Sequence, residues 1–165
     1  MNFNTKKLMT AAAVIALIAY GASAKAGDVA AISARDFLDS LGVCTHIGQG
    51  ADDPERAADA LTYAGIRNIR DDASPRHVRD WILVHKQAGV KVVLTQSGPS
   101  DSSIPRILAM SRHLAEVGAL LALEGPNEPN NWAVTWHGQK SGKTFMPVAQ
   151  WQSAFYAAAK RDGVL

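Results

Sequence analysis

The chain contains a single cysteine, Cys44, which excludes an internal disulfide and leaves the fold to depend on its core. It contains no Asn-x-Ser/Thr sequon for N-glycosylation. A basic surplus is also missing, because 17 basic residues stand against 15 acidic ones, and the numbers become equal without Lys6 and Lys7. We therefore expect no nucleic acid and no anionic membrane surface among the partners.

The first residues have the pattern of an export signal. Lys6 and Lys7 precede an apolar run from Leu8 to Tyr20, which is too short to span a membrane comfortably. The small residues Ala22-Ser23-Ala24 then fit a signal-peptidase site. An uncleaved membrane anchor is the alternative. The expected organisation is a signal peptide at 1–24, a lead-in at 25–36 and one domain at 37–165. The mature protein is then secreted or periplasmic, without stable membrane anchoring.

The mature chain repeats one pattern four times: a proline, a helical stretch, a glycine and an apolar run. The prolines are Pro54, Pro75, Pro105 and Pro147, and the glycines are Gly65, Gly89, Gly118 and Gly163. Proline suits the first turn of a helix, and glycine supplies the left-handed conformation that ends one. Asp53 and Ser74 precede two of the prolines, where an N-cap oxygen is expected. The pattern predicts four helices, with Trp81 and Trp151 on their core-facing sides.

Short β-rich runs alternate with these helices, at residues 37–46, 66–70, 90–95 and 119–123. The alternation predicts an α/β fold with a parallel sheet of right-handed crossover units. An open doubly wound sheet and a closed barrel both fit, but Gly48-Gln49-Gly50 lacks the third glycine of a dinucleotide-binding turn. We expect a partial (β/α)8 TIM barrel containing the first four strand–helix units, with Val164 and Leu165 beginning a fifth strand. A natural half-barrel is the alternative, and its unpaired edges would favour pairing with a second copy.

Polar residues stand where the apolar runs end, which is where parallel α/β folds gather their chemistry. They are His46, Arg70-Asp71-Asp72, Gln96 and Asn127-Glu128. As a set they predict one shared polar surface at the strand ends. Solvated loops are the alternative interpretation.

A family resemblance rests on three of these segments. Leu123 to Pro129, with its Asn-Glu-Pro triplet, resembles the end of the fourth strand in clan A glycoside hydrolases, the retaining (β/α)8-barrel glycosidases. Gly65 to Arg70 resembles the second strand of that clan, which ends in an active-site arginine, and Leu41 to His46 resembles the first. The resemblance extends from about Phe37 to the end of the chain. It implies an exported enzyme that hydrolyses O-glycosidic bonds of an oligo- or polysaccharide, and we expect no cofactor.

The resemblance makes Glu128 the general acid/base, which gives a proton to the leaving oxygen. A retaining enzyme needs a second carboxylate about 5 Å away as nucleophile, and this proximity with partial burial would keep the acid protonated. In the clan the nucleophile lies on the seventh strand, so we expect the four units alone to be inactive. Glu124, at the same strand end as Glu128, is expected at the rim. A non-catalytic carbohydrate-binding remnant or pseudoenzyme is the alternative function, and a structural protein without a ligand is a third.

Substrate contacts follow for three further residues. By resemblance, Asn127 binds the sugar hydroxyl next to the reacting carbon and Arg70 orients the nucleophile, while His46 is a candidate substrate contact. The structural alternatives are turn geometry before proline for Asn127, an ion pair with Asp71 or Asp72 for Arg70, and a satisfied interior position for His46.

Trp132 and Trp136 follow Glu128 in a loop, and aromatic faces suit the apolar faces of sugar rings. Packing beneath the loop is the alternative for each. The run from Gly138 to Thr144 imitates a phosphate-binding loop but is one residue short of the required spacing. Cys44 and His46 share a strand face, yet no second Cys/His cluster supports a metal, and no base–orienter pair is evident for a thiolate mechanism. We therefore expect Cys44 to be a small buried side chain.

Overall fold

The computed structural model describes residues 30–165, and all the helices and strands of that range belong to the unit Ser33–Leu165. The helices are α1 (Ala34–Ser40), α2 (Pro54–Ala64), α3 (Val78–Ala88), α4 (Ser103–Glu116) and α5 (Met146–Arg161). The strands are β1 (Gly42–Cys44), β2 (Asn68–Asp72), β3 (Lys91–Ser97), β4 (Leu120–Asn127), β5 (Thr135–Trp136) and β6 (Gln139–Lys140). Two 3-10 turns, Ile47–Gln49 and Pro75–His77, precede α2 and α3.

Strands β1 to β4 form a parallel sheet whose order follows the chain, and β5 and β6 form a separate antiparallel hairpin. Arg70 pairs with Cys44 on one side and with Val93 on the other, and Ser97 pairs with Asn127. The predicted α/β fold with a parallel sheet is confirmed. Within residues 30–165 the strand order does not reverse, whereas a doubly wound sheet reverses at its switch point. The carboxyl ends of the four strands therefore lie side by side.

The first strand is shorter than predicted. Residues 37–40 belong to helix α1, and only Gly42–Cys44 pair with β2, so the β prediction for 37–46 is wrong in its first part. Helix α1 has a local cause that periodicity does not reveal: the Ser33 hydroxyl oxygen accepts a hydrogen bond from the Asp36 backbone N–H at 3.0 Å. Serine at that position is a strong N-cap, and it starts a helix of seven residues.

The predicted helix boundaries are partly confirmed. Asp53 caps α2 by accepting a hydrogen bond from the Arg56 backbone N–H at 2.9 Å, as expected. Gly65 and Gly89 end α2 and α3 with φ of 67° and 70°. Ser74 makes no side-chain cap hydrogen bond, because a 3-10 turn rather than an α-helix begins after it.

The last helix ends differently from the prediction. Helix α5 stops at Arg161, and Asp162 follows in an extended conformation with φ of −74°. Gly163 is not among the glycines with positive φ in the described chain, so it is not a left-handed helix stop. Val164 and Leu165 lie in no strand, and the expectation of a fifth strand there is wrong. The Asp162 carboxylate instead accepts a hydrogen bond from the Val164 backbone N–H at 3.1 Å.

The core lies between the sheet and the helices. Trp81 and Trp151 are buried in it, as predicted, with exposures of 1% and 0%. The Trp151 ring also lies 4.9 Å from that of Phe155, and its indole N–H donates to the Ser100 carbonyl at 3.2 Å. Other members are Ile47, Leu61, Ile69, Val84, Val92, Leu94, Ile107 and Leu114. The helices are thus fixed to the sheet mainly by apolar burial.

The predicted signal peptide at 1–24 lies outside the described residues, as does the lead-in up to residue 29. Among residues 30–165, none of the helices combines the length and the apolar character needed to cross a bilayer.

Candidate functional site

A cavity of about 520 Å³ lies at the carboxyl ends of the parallel strands, and we call it the strand-end cavity. Its lining residues are Cys44, Thr45, His46, Gln49, Arg70, Asp71, Asp72, Thr95, Ser97, Asn127, Glu128 and Trp132. Carboxyl ends of neighbouring parallel strands meet at one side of a sheet, so residues up to 88 positions apart come together around this cavity. The structure brings together five of the six predicted site residues: His46, Arg70, Asn127, Glu128 and Trp132.

His46 stands on the wall of the cavity, between β1 and the first 3-10 turn. Its backbone N–H donates to the Asp52 carboxylate at 2.6 Å, and its ring Nδ1 lies 4.0 Å from the same oxygen. The side chain is more than half exposed. His46 is therefore not an enclosed interior histidine, and its ring can be reached by a ligand.

Arg70 on β2 is bound to a carboxylate on β4, two strands away in the sheet. Its guanidinium forms a two-pronged pair with Glu124, with Nε–Oε2 at 2.7 Å and Nη2–Oε1 at 2.6 Å. The predicted alternative was an ion pair with Asp71 or Asp72, and the partner is instead Glu124, 54 positions away in the chain. The pair joins β2 to β4 across the strand between them, and it neutralises the arginine of the cavity.

The pair changes the protonation of both partners. The hydrogen bonds from Arg70 hold the pKa of Glu124 below its ordinary value, although burial acts in the opposite direction. The same bonds raise the pKa of Arg70. Arg70 Nη2 also donates to Asn127 Oδ1 at 3.0 Å, which turns that amide so that its oxygen faces the guanidinium. The Asn127 Nδ2 group donates to no other described residue, and its N–H groups remain for a ligand.

Replacement of Arg70 by methionine is expected to raise the pKa of Glu124, because the lowering hydrogen bonds disappear while burial persists. In the parent protein the pair stabilises the fold above the ordinary pKa of glutamate, and this contribution is lost as pH falls through the lowered pKa. Carboxyl NMR titration of Glu124 measures the change. Arg35→Met, at an exposed arginine outside the cavity, is the control. An unchanged Glu124 titration in Arg70→Met would contradict the pairing.

Glu128 begins the turn that follows β4, in a backbone conformation uncommon for its type. Its φ is +41°, and a left-handed residue other than glycine costs about 1–2 kcal/mol. The turn is held by the Glu128 carbonyl, which accepts hydrogen bonds from the backbone N–H groups of Asn131 and Trp132, both at 2.8 Å. This turn sets the Glu128 carboxylate and the Trp132 ring on the same cavity. Backbone strain of this kind concentrates at functional sites.

The Glu128 carboxylate is more open than expected. Its Oε2 accepts a hydrogen bond from Asn131 Nδ2 at 3.2 Å, and the residue is exposed. The partial burial expected of an acid/base is not found. Trp132 is also exposed, with 54% of its surface accessible beside the cavity, so its ring face is available for contact.

Two tryptophans of the same loop have separate positions. Trp136 lies in β5, packs against the core and has its ring 4.4 Å from that of His137. It does not line the strand-end cavity. The structure thus places Trp132 at the cavity and Trp136 beneath the loop.

Strand β3 contributes different residues from the one predicted. Gln96 is 8% exposed, and its Nε2 donates to the Ser97 carbonyl, whereas Thr95 and Ser97 line the cavity. Side chains alternate between the faces of a strand, so the neighbours of Gln96 point to the cavity and Gln96 does not. The strand alternation was the signal that could have identified Thr95 and Ser97.

Cys44 is exposed and lines the cavity, so the expectation of a buried cysteine is wrong. It lies on β1, which has a strand neighbour on only one side within the described sheet. A residue on such a strand loses less exposure than one in the middle of a sheet. In the described region, no group of three or more His, Cys, Asp or Glu side chains is placed to hold a metal ion.

Two adjacent acids at the end of β2 have separate roles. Asp71 is buried and accepts hydrogen bonds from Thr45 Oγ1 at 2.7 Å, the Gly48 N–H at 3.1 Å and the Trp81 indole N–H at 3.2 Å. It anchors the β1 loop to helix α3. Asp72 lies on the other face of the strand, half-buried in the cavity. The sequence places both residues at the strand end but does not distinguish their roles.

Comparisons of the chain with protein-family models, with curated proteins and with solved structures find no match. A functional conclusion therefore depends on the residues of the cavity and their geometry.

Proposed function

We propose that the strand-end cavity is the saccharide site of an exported retaining glycoside hydrolase, with Glu128 as the general acid/base. One observation carries the proposal: the candidate residues from separate strand ends line a single cavity. They are His46, Arg70, Asn127, Glu128 and Trp132. Together they supply a carboxyl group for proton delivery, groups that bind hydroxyls and an aromatic face that suits a sugar ring, while the nucleophilic carboxylate of a retaining mechanism is not among them.

The sheet supports the same proposal at the level of architecture. Its four strands are parallel and follow the order of the chain, as consecutive strands of a (β/α)8 barrel do. We assign β1 to β4 to an arc of such a barrel, similar to those of clan A glycoside hydrolases. The nucleophile then comes from a strand outside these four.

The chemistry assigned to Glu128 is proton delivery. An alkoxide is a poor leaving group, so the glycosidic oxygen must receive a proton as its bond to the sugar breaks. Glu128 is reachable from the cavity, and the neighbouring Asn127 offers N–H donors for a hydroxyl of the same sugar.

A second candidate function is saccharide binding without hydrolysis. Two observations favour it: Glu128 is exposed, and Arg70 is already paired with Glu124 instead of being free for a nucleophile. A cavity that keeps its sugar-facing groups but has no carboxylate that acts as the nucleophile would bind saccharide and not cleave it.

Trp132→Ala is expected to weaken saccharide binding by about tenfold, because it removes the exposed ring beside Glu128. Calorimetric titration of the chain with neutral oligosaccharides gives the affinity. Tyr63→Ala is the matched control, since Tyr63 is a fully exposed aromatic residue on α2 that lies outside the cavity. Equal affinities of parent and Trp132→Ala, or no saccharide binding by the parent, would overturn the site. Binding without hydrolysis by the product of the complete reading frame would favour the second candidate.

A further inference from the structure

Asp72 is a cavity residue that the proposed proton delivery does not use. It is the last residue of β2, pairs in register with Thr95 of β3, and lines the strand-end cavity with Asn127 and Glu128. The Ser97 backbone N–H donates a hydrogen bond to Asp72 Oδ1 at 2.9 Å, and the Ser97 side chain and the Ala73 backbone lie close to the same carboxylate. The carboxyl group is therefore fixed on the sheet and faces the same space as the proposed acid/base.

Among residues 30–165, no cation forms an ion pair with Asp72. None of the ion pairs of the described residues includes it, and Arg70, the one arginine lining the cavity, is bound to Glu124. Burial raises the pKa of Asp72, and the charge of Asp71 adds to this effect, although hydrogen bonds from Ser97 act in the opposite direction. A half-buried carboxylate without a cation is unfavourable for folding. Because Asp72 lines the cavity, a ligand-binding role would explain why its carboxylate is kept there.

We propose that Asp72 is a specificity residue that accepts hydrogen bonds from sugar hydroxyl groups, and that the cavity selects neutral saccharides over acidic ones. This inference rests on the proposed function. An ionised carboxylate accepts charge-assisted hydrogen bonds from hydroxyl donors, and Ser97 occupies only part of its accepting capacity. Thr95, Ser97 and Asn127 add uncharged polar groups around it.

The selection against acidic sugars follows from the charges of the cavity. Asp71, Asp72 and Glu128 line it, while the positive charge of Arg70 is balanced by Glu124. A uronic-acid carboxylate would enter a surface that is already negative, and like charges brought together without water are costly. A neutral sugar brings hydroxyl donors to the same oxygens.

The inference predicts a pH dependence with a definite sign. Hydroxyl groups bind best to the ionised form of Asp72, so saccharide affinity falls as pH decreases through its raised pKa. The other titratable and charged groups lining the cavity are Cys44, His46, Arg70, Asp71 and Glu128. A loss of this pH dependence specifically in Asp72→Asn separates the Asp72 contribution from theirs.

The test is calorimetric titration of the full chain with hexasaccharides of β-1,4-glucan, xylan and mannan, and with an oligogalacturonate, between pH 4 and pH 8. Asp72→Asn is expected to weaken binding of the neutral sugars by about tenfold at pH 7.5 and to flatten the pH profile. Its amide oxygen can still accept the Ser97 hydrogen bond, so the fold is retained, which circular dichroism checks. Asp53→Asn, at an exposed residue outside the cavity, is the control.

The outcomes separate this inference from the proposed function. If no saccharide binds to the parent chain, both fail. If the parent binds neutral sugars and Asp72→Asn binds them equally well with the same pH profile, only the role of Asp72 is overturned. Tighter binding of the oligogalacturonate than of every neutral hexasaccharide would overturn the selection for neutral sugars.

Discussion

Glu128→Gln is expected to lower the rate of glycoside hydrolysis by about 10²–10⁴-fold, because glutamine keeps the shape of the side chain and cannot deliver the proton. The effect should depend on the leaving group. Dinitrophenyl glycosides release a stable anion and need little protonation, so their bond cleavage should slow much less than that of unactivated disaccharides. The measurement is kcat/KM for both substrates with the protein expressed from its complete reading frame, because kcat/KM reports the bond cleavage and not the later step in which Glu128 acts as the base that activates water.

Glu116→Gln is the matched control for this prediction, since Glu116 is an exposed glutamate at the end of α4, outside the cavity. It should leave both rates unchanged. Saccharide affinity should survive in Glu128→Gln, because the binding groups of Asn127 and Trp132 remain. Equal slowing of the activated and the unactivated substrate would show that Glu128 acts in some way other than as a proton donor.

Gly48→Ala is expected to destabilise the fold by about 3 kcal/mol, which lowers Tm by about 10 °C in a domain of this size. Gly48 is buried in the turn between His46 and α2. A Cβ atom there would overlap the Asp72 carbonyl oxygen and approach the Trp81 ring to 2.9 Å. Neither neighbour can move easily, because one is backbone of the sheet and the other is buried in the core. Thermal unfolding followed by circular dichroism measures the loss.

Gly125→Ala is the control, and its expected cost is below about 1 kcal/mol. A Cβ atom at Gly125 would overlap only the side-chain amide of Gln152 on α5. That amide can turn away, and its Oε1 has no hydrogen-bond partner among the described residues to lose. Equal destabilisation by the two substitutions would mean that the backbone contact of Gly48 is not the cause.

The larger elements could be read from the sequence because their signals are local. Asp53 before Pro54 marks the start of a helix, and Gly65 and Gly89 mark helix ends, each through the conformation or hydrogen bond that its own side chain allows. At Ser74 the same local signal does not predict the structure correctly. A serine before a proline has the same local signal, yet the chain there forms a 3-10 turn without the cap.

The individual residues of the cavity were less predictable. The sequence predicts contact of Arg70 with a nucleophile or with Asp71 or Asp72, but Arg70 is paired with Glu124 because the sheet brings β2 and β4 close together on either side of β3. The sequence predicts Gln96 as the polar residue at the end of β3, although strand alternation turns Thr95 and Ser97 toward the cavity. The predicted barrel, the sugar substrate and the acid/base role of Glu128 stay predictions.

The sequence by itself determined the alternation of strands and helices, the burial of Trp81 and Trp151, and the gathering of polar residues at strand ends. These follow from propensity, periodicity and capping, which act over a few residues. Only the tertiary structure decided which charged side chains form ion pairs. Glu124 is paired with Arg70, whereas Asp72 is in none of the ion pairs of the described residues. A pKa depends on burial and on neighbours within a few ångströms, and those neighbours are set by sheet register between segments far apart in the chain.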